Sequence, residues 1–175
     1  MVDESEEIRR VKIEPPLPED LIEELIDFWE AAFDTPFGHH RYILRGDERE
    51  SNRDILYCLW DSGRLLGTSH LTVSVSVPYV GGFGEVATQP DATGRGIATE
   101  LSEKGLNDFR SDGGHALFLG TGNPAAARIY HRDGIVIGRT EAPLVSSGDA
   151  VVHLAEVLDT GEWQEPKFQE RAAVT

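Results

Sequence analysis

The stretch from Gly84 to Ala98 constrains the fold most, because it passes from a short strand through a glycine-bearing turn into an amphipathic helix. Beyond the turn, Ile97, Ala98, Leu101, Gly105, Leu106 and Phe109 fall on one helical face, and Glu100, Glu103, Lys104, Asn107, Asp108 and Arg110 on the other. The apolar stripe anchors this helix on a core, with its N-terminus at the end of a strand. The first N–H groups of a helix lack internal acceptors and carry the positive end of the macrodipole, so they favour an anion such as phosphate. Gly94 and Gly96 let the backbone approach closely, and Arg95 adds a cation. An ordinary strand-to-helix turn has the same letters, and Gly-x-Gly alone does not separate the two readings.

Two other phosphate motifs fail. A dinucleotide fingerprint would need glycine at Thr99, and a Walker loop would need Gly-Lys-Ser/Thr. Instead, Thr93-Gly94-Arg95-Gly96-Ile97-Ala98 resembles the acetyl-CoA-binding motif of the GNAT acyltransferases, Gln/Arg-x-x-Gly-x-Gly/Ala, with Thr93 departing from the usual Gln or Arg. Farther along, Asn123-Pro124-Ala125-Ala126-Ala127-Arg128-Ile129-Tyr130-His131-Arg132-Asp133-Gly134-Ile135 resembles that family's later motif, Asn-x-x-Ala-x-x-x-Tyr-x-x-x-Gly-Phe, with Ile135 in place of Phe. Two matches in order are more specific than either one.

The resemblance implies an α/β (α+β) fold, the GNAT acyl-CoA N-acyltransferase fold. Its central sheet is mixed and mostly antiparallel, of six or seven strands flanked by about four helices, over residues 7–157. Residues 1–6 are expected to be a disordered acidic start, and 158–175 a polar tail. It also implies acetyl-CoA as co-substrate, held on the backbone of Val86 and Thr88 along the pantetheine and on Thr93, Gly94, Arg95, Gly96, Ile97 and Ala98 at the pyrophosphate. Asn123 and Ala126 would complete the donor site, Asn123 contacting the pantetheine arm, and Tyr130 would be the general acid. A phenol suits that role, since reference values of ~8.5 for a thiol and ~10 for tyrosine allow proton transfer in a positioned site.

The base is open. Family members often carry it at positions matching Gly82 or Gly84, both glycine here. Glu85 is the acid of that strand, and alternation puts it on the face opposite Gly82, Gly84, Val86 and Thr88 unless a bulge intervenes. Glu85, His70 and a water chain are the candidates. The resemblance makes the loop after the first helix part of the acceptor pocket, with Phe37, His39, His40 and Tyr42 as candidate contacts and His70 nearby.

Composition narrows the partners. At 175 residues one domain is expected. With 16 basic and 31 acidic residues, a net charge of -15 argues against nucleic-acid or anionic membrane surfaces and suits a cationic acceptor. Cys58, the single cysteine, permits no intrachain disulfide and sits in a strand-like run. No zinc or di-metal spacing appears, nor a nucleophile elbow, so no metal is expected. Without a basic leader or a long apolar run, a cytoplasmic protein is expected. A homodimer is the common closed assembly.

In chain order, Ile8 to Ile13 alternates as a strand, and Leu21, Ile22, Leu25, Ile26, Trp29, Ala32 and Phe33 recur at helical spacing after Pro18. Arg41 to Asn52 is ambiguous; Asp54 to Trp60 and Arg64 to about Val77 are strands joined at Asp61-Ser62-Gly63. Pro78 to Gly84 is expected as a flexible connection, His115 to Leu119 as a buried strand, and Ile135 to Arg139 and Ala150 to Val157 as the last two. The expected activity is acetyl transfer from acetyl-CoA to a primary amine of a small molecule or peptide by direct attack on the thioester. The alternatives are a non-catalytic acyl-CoA-binding module and a transferase for a longer acyl chain.

Overall fold

The computed structural model describes residues 8–119, 136–139 and 153–156. Their elements are β1 (Ile8–Ile13), α1 (Glu19–Phe33), α2 (His40–Leu44), β2 (Asn52–Asp61), β3 (Arg64–Ser74), β4 (Val80–Thr88), α3 (Ile97–Ser111), β5 (Ala116–Phe118), β6 (Val136–Arg139) and β7 (His153–Glu156). The first five strands make one sheet in the order β1-β2-β3-β4-β5, and β6 pairs with β7 in a separate ladder. Neighbours β1 to β4 are antiparallel, while β4 and β5 are parallel. That change is what a helical crossover through α3 produces. The mixed, mostly antiparallel sheet expected from the sequence is therefore present.

Alternation along β2 divides the core in two. Leu56, Cys58 and Trp60 pack with Ile22, Leu25, Ile26, Phe28 and Trp29 of α1. Ile55, Tyr57 and Leu59 point the other way, to Ile97, Leu101, Leu106 and Phe109 of α3. Burying each such side chain contributes roughly 2 kcal/mol before the entropy of ordering it. Helix α1 starts after the extended Pro18 with acids Glu19 and Asp20 in its first turn, which suits the dipole, and stops where Asp34 turns left-handed at φ 51°.

Most strand ends move by one to three residues from the sequence reading, and three departures stand out. Strand β3 ends at Ser74, because the chain bends there and Val77 N–H donates to Ser74 Oγ at 3.2 Å. The glycine-rich run read as a connection is instead the first half of β4, which starts at Val80. The ambiguous segment Arg41 to Asn52 starts inside α2, which is fixed by the fully buried Leu44. The segment bearing Asn123, Ala126 and Tyr130, the first seven residues and the tail from 158 onward lie outside the described residues. No described helix is long and apolar enough to cross a membrane.

Candidate active site

Strand β4 has two halves with different neighbours. Val80, Gly81 and Gly82 pair with Ala116, Leu117 and Phe118 of β5. Past that point the described ladder to β5 ends, while pairing to β3 continues as far as Gly67↔Thr88. The second half of β4 therefore has one edge without a described strand partner.

That half also contains a bulge. His70 pairs with Gly84 and Thr68 with Ala87, so Ser69 faces two residues, Glu85 and Val86. Glu85 takes the extra position with φ 44°, a region L-residues seldom occupy. Thr68 Oγ1 braces it by donating to the Glu85 carbonyl at 2.7 Å and accepting from Trp29 Nε1 at 2.9 Å. The extra residue shifts the alternation. Simple alternation sets Glu85 opposite Gly82 and Gly84; the bulge brings it to their face, beside His70, while Val86 packs into the α3-side core.

Four side chains then line up. Asp54 Oδ1 lies 2.9 Å from His70 Nε2, His70 Nδ1 lies 2.8 Å from Glu85 Oε2, and Glu85 Oε1 lies 3.2 Å from His40 Nε2. Thr72 Oγ1 donates to Asp54 Oδ1 at 2.7 Å. Asp54 and His70 are buried, at 6% and 3% exposure, so these charges can stand only as a set. Burial works against the His70 imidazolium, but its hydrogen bonds to Asp54 and Glu85, and their charges, push it up to about 9. Burial likewise opposes the Glu85 carboxylate, yet hydrogen bonds from His40 and His70 and the His70 charge hold it at about 2. At neutral pH His70 is therefore the cation and Glu85 an anion, and each ring nitrogen of His70 donates, Nε2 to Asp54 and Nδ1 to Glu85. His70 then keeps no lone pair, which places it behind Glu85 rather than against an acceptor.

Beyond β4 a short 3-10 turn, Pro90–Ala92, leads to the glycines. Gly94 and Gly96 stand at φ 83° and 82°, which is the reason for glycine there. The Thr93 and Arg95 N–H groups make long bonds of 3.4 Å back to Pro90 and Ala92. Among the described residues no acceptor meets the N–H groups of Gly94, Gly96, Ile97 or Ala98, and Gly96 has no side chain to cap α3. Residues 93–96 are exposed, so no side chain covers the turn. The Arg95 guanidinium lies 3.6 Å from Asp61 and remains half exposed.

Of the acceptor-side candidates, Phe37 packs against Trp29 with ring centroids 5.7 Å apart, and its N–H donates to Glu30 Oε1 at 2.8 Å. His39 is exposed, its ring 4.3 Å from that of His40. Tyr42 points to solvent at 54% exposure. The Thr88 hydroxyl is buried with no hydrogen-bond partner among the described residues. Tyr130, Asn123 and Ala126 fall outside the described residues, so the acid and the second donor contact stay with the sequence. No described group of His, Cys, Asp and Glu is arranged to hold a metal ion.

Sequence reading missed Asp54 and the Thr68 brace. Asp54 carried a usable signal, since it opens the inward row Asp54, Leu56, Cys58, Trp60, where a carboxylate must find a partner.

A family model described as an acetyltransferase (GNAT) domain matches residues 15–137. Among solved structures, the ribosomal-protein-S18-alanine N-acetyltransferase from Escherichia coli superposes with TM-score 0.63 at 16% identity, covering 90% of this chain and 99% of that one. The yncA protein from Salmonella typhimurium, solved with its cofactor acetyl-CoA, gives TM-score 0.62 at 16% identity over 90% of this chain and 98% of that one. A Bacillus subtilis acetyltransferase in complex with CoA gives 0.57 at 16% identity, over 87% of this chain and 100% of that one. No curated protein matches the sequence.

Proposed function

The chain belongs to the GNAT acetyltransferase family, and on that premise we propose that it moves the acetyl group of acetyl-CoA to a primary amine of a small molecule or peptide by direct attack on the thioester. The observation that carries this reading is the half of β4 without a described partner on one edge, leading into the amides of Gly94, Gly96, Ile97 and Ala98, which meet no acceptor among the described residues. A pyrophosphate would sit on those amides, helped by the α3 dipole and by Arg95. The pantetheine would run along the edge at Val86 and Thr88, Asn123 and Ala126 would close it from the other side, and Tyr130 would protonate the departing thiolate. The thioester would then lie by Gly84, near the Glu85 cluster. The net charge of -15 favours a cationic acceptor. Small cytoplasmic amines and peptide N-termini meet that description, and a homodimer is the assembly we expect.

Calorimetry with CoA, followed by mass spectrometry of reactions with polyamines, aminoglycosides and peptide N-termini, tests the reading. The expected result is acetylated amine and free thiol in equal amounts, with Tyr130→Phe lowering kcat more than it weakens donor binding. CoA binding without turnover on any amine would reduce the protein to a binding module.

A further inference from the structure

We propose that His40, rather than Glu85, takes the proton from the acceptor amine, with Glu85, His70 and Asp54 behind it as positioning residues. This rests on the transferase reading above and assigns the base within it. Both oxygens of Glu85 are occupied, Oε1 by His40 and Oε2 by His70. A carboxyl held at about 2 is also too weak a base to draw a proton from an ammonium group. His70 has both nitrogens engaged. His40 differs from both: its Nε2 faces the Glu85 anion, while its Nδ1 is buried with no hydrogen-bond partner among the described residues.

The anion decides the tautomer. Nε2 carries the hydrogen that Glu85 accepts, so in the neutral ring the lone pair sits on Nδ1, ready for a proton. Among the described residues nothing bonds to that lone pair. From α1, Glu30 Oε1 accepts from the Phe37 N–H, and the Trp29 ring lies 5.5 Å away. From the α1–α2 loop come the rings of Phe37 at 4.6 Å and of the titratable His39 at 4.3 Å. From β4 comes Glu85, with His70 of β3 and Asp54 of β2 behind it. Nδ1 is buried, so the amine proton would reach it through one bridging water or after a shift of the adjacent His39 ring.

The step balances with acetyl-CoA as the donor. The ammonium gives one proton to His40 Nδ1, and the freed lone pair attacks the thioester carbon. The C–N bond forms as the C–S bond breaks, and the second nitrogen proton is lost while the thiolate is protonated to thiol. His40 then returns its proton to solvent.

Two acceptors separate a base from a scaffold. Spermidine is an ammonium at neutral pH and needs the base; methoxyamine is already unprotonated and does not. With full-length protein and acetyl-CoA, His40→Gln is expected to slow transfer to spermidine roughly 10²–10³-fold near pH 7 and transfer to methoxyamine by less than about threefold. Equal losses with both amines, or no loss with either, overturn the assignment. Glu85→Gln is expected to shift the pH–rate profile with the KM for acetyl-CoA unchanged, and an unmoved profile counts against a positioning role. Imidazole ¹H–¹⁵N spectra of the wild type supply a readout that needs no turnover: hydrogen on Nε2 of His40 supports the proposal, and hydrogen on Nδ1 of the neutral ring overturns it. If the wild type acetylates neither amine nor any in the wider screen, the transferase reading falls, while the spectra still decide the His40–Glu85 arrangement.

Discussion

Gly81 and Gly82 are adjacent on β4 and face opposite sides of the sheet. A Cβ at Gly81 would come within 2.7 Å of the Thr72 carbonyl and 2.9 Å of Leu117 Cδ2. Among the described residues one at Gly82 would meet the Phe118 carbonyl alone, at 3.9 Å, and one at Gly84, two residues on, nothing within 4 Å. On the α3 face, then, glycine is a packing requirement; on the α1 face it leaves room. The α3 face commits its side chains to contact, with Phe83, Leu101, Leu106 and Phe109 in one cluster. The α1 face ends in Asp54, His70 and Glu85, which hold charge, beside space. Around β4 one face of the sheet is filled and the other left open, although α1 packs on the rest of that second face, and each substitution below asks whether this local division is real.

The largest expected effect is on the packed face. Phe109 is 2% exposed, and its ring fills the volume in front of both Gly81 and Gly114. Phe109→Ala should cost about 3–5 kcal/mol in urea unfolding. A loss under about 1 kcal/mol would mean that this face is not close-packed and that the contrast fails.

The charged face should instead respond to pH. His70 is raised from 6.5 to about 9, so its contribution is complete below 6.5 and is lost as pH climbs through 9. Glu85 is lowered from 4.5 to about 2, so its contribution holds above 4.5 and is lost as pH falls through 2. These two shifts describe one shared network and are not added. The alkaline limb, on the order of 3 kcal/mol at most, is the diagnostic one. The acid limb is shared with Asp108 of α3: burial opposes its charge, but hydrogen bonds from Lys104, Lys12 and Tyr57 hold it at about 2. Urea titrations from pH 6.5 to 9 should show the wild type weakening and His70→Gln flattened. Parallel slopes would remove His70 from the account.

How much of this could be read from letters depends on whether a position obeys a period. Helix α3, its apolar stripe and the turn at Gly94 and Gly96 were legible because 3.6-residue spacing and glycine's left-handed freedom are local properties. So was the split of β3 into Leu71 and Val73 against His70 and Thr72. Glu85 was legible as a candidate but not as to its face, because a bulge is set by two strands together: Thr68, 17 positions earlier, braces it. The glycines of β4 read as a loop because glycine is rare inside strands, and only the Thr72 carbonyl and Leu117 explain why Gly81 belongs in one. His40 was one of several loop residues until Glu85 turned toward it.

A smaller effect is expected at Gly81. The clash there is with backbone, which cannot rotate away, so Gly81→Ala should cost about 1–3 kcal/mol by thermal or urea unfolding. The neighbouring Gly82→Ala provides the internal control. If the two lose the same amount, β4 is flexible enough to absorb a methyl on either face and the asymmetry is only geometric.

The smallest stability effect, and the most informative one for function, belongs to Gly84. Nothing described lies within 4 Å of its absent Cβ, and its φ is not positive, so neither packing nor backbone demands glycine. Alanine also restricts the unfolded chain, so Gly84→Ala should change stability by less than about 1 kcal/mol, in either direction. Yet Gly84 pairs with His70 and immediately precedes Glu85, so the new methyl would stand where the thioester and amine are proposed to meet. The expected signature is a fall in kcat/KM with unfolding nearly unmoved and CoA binding retained in calorimetry. A variant that unfolds early would show that the space is filled by other parts of the chain. One with unchanged kcat/KM would show that the space is spare, and the reacting groups would have to be sought elsewhere along β4.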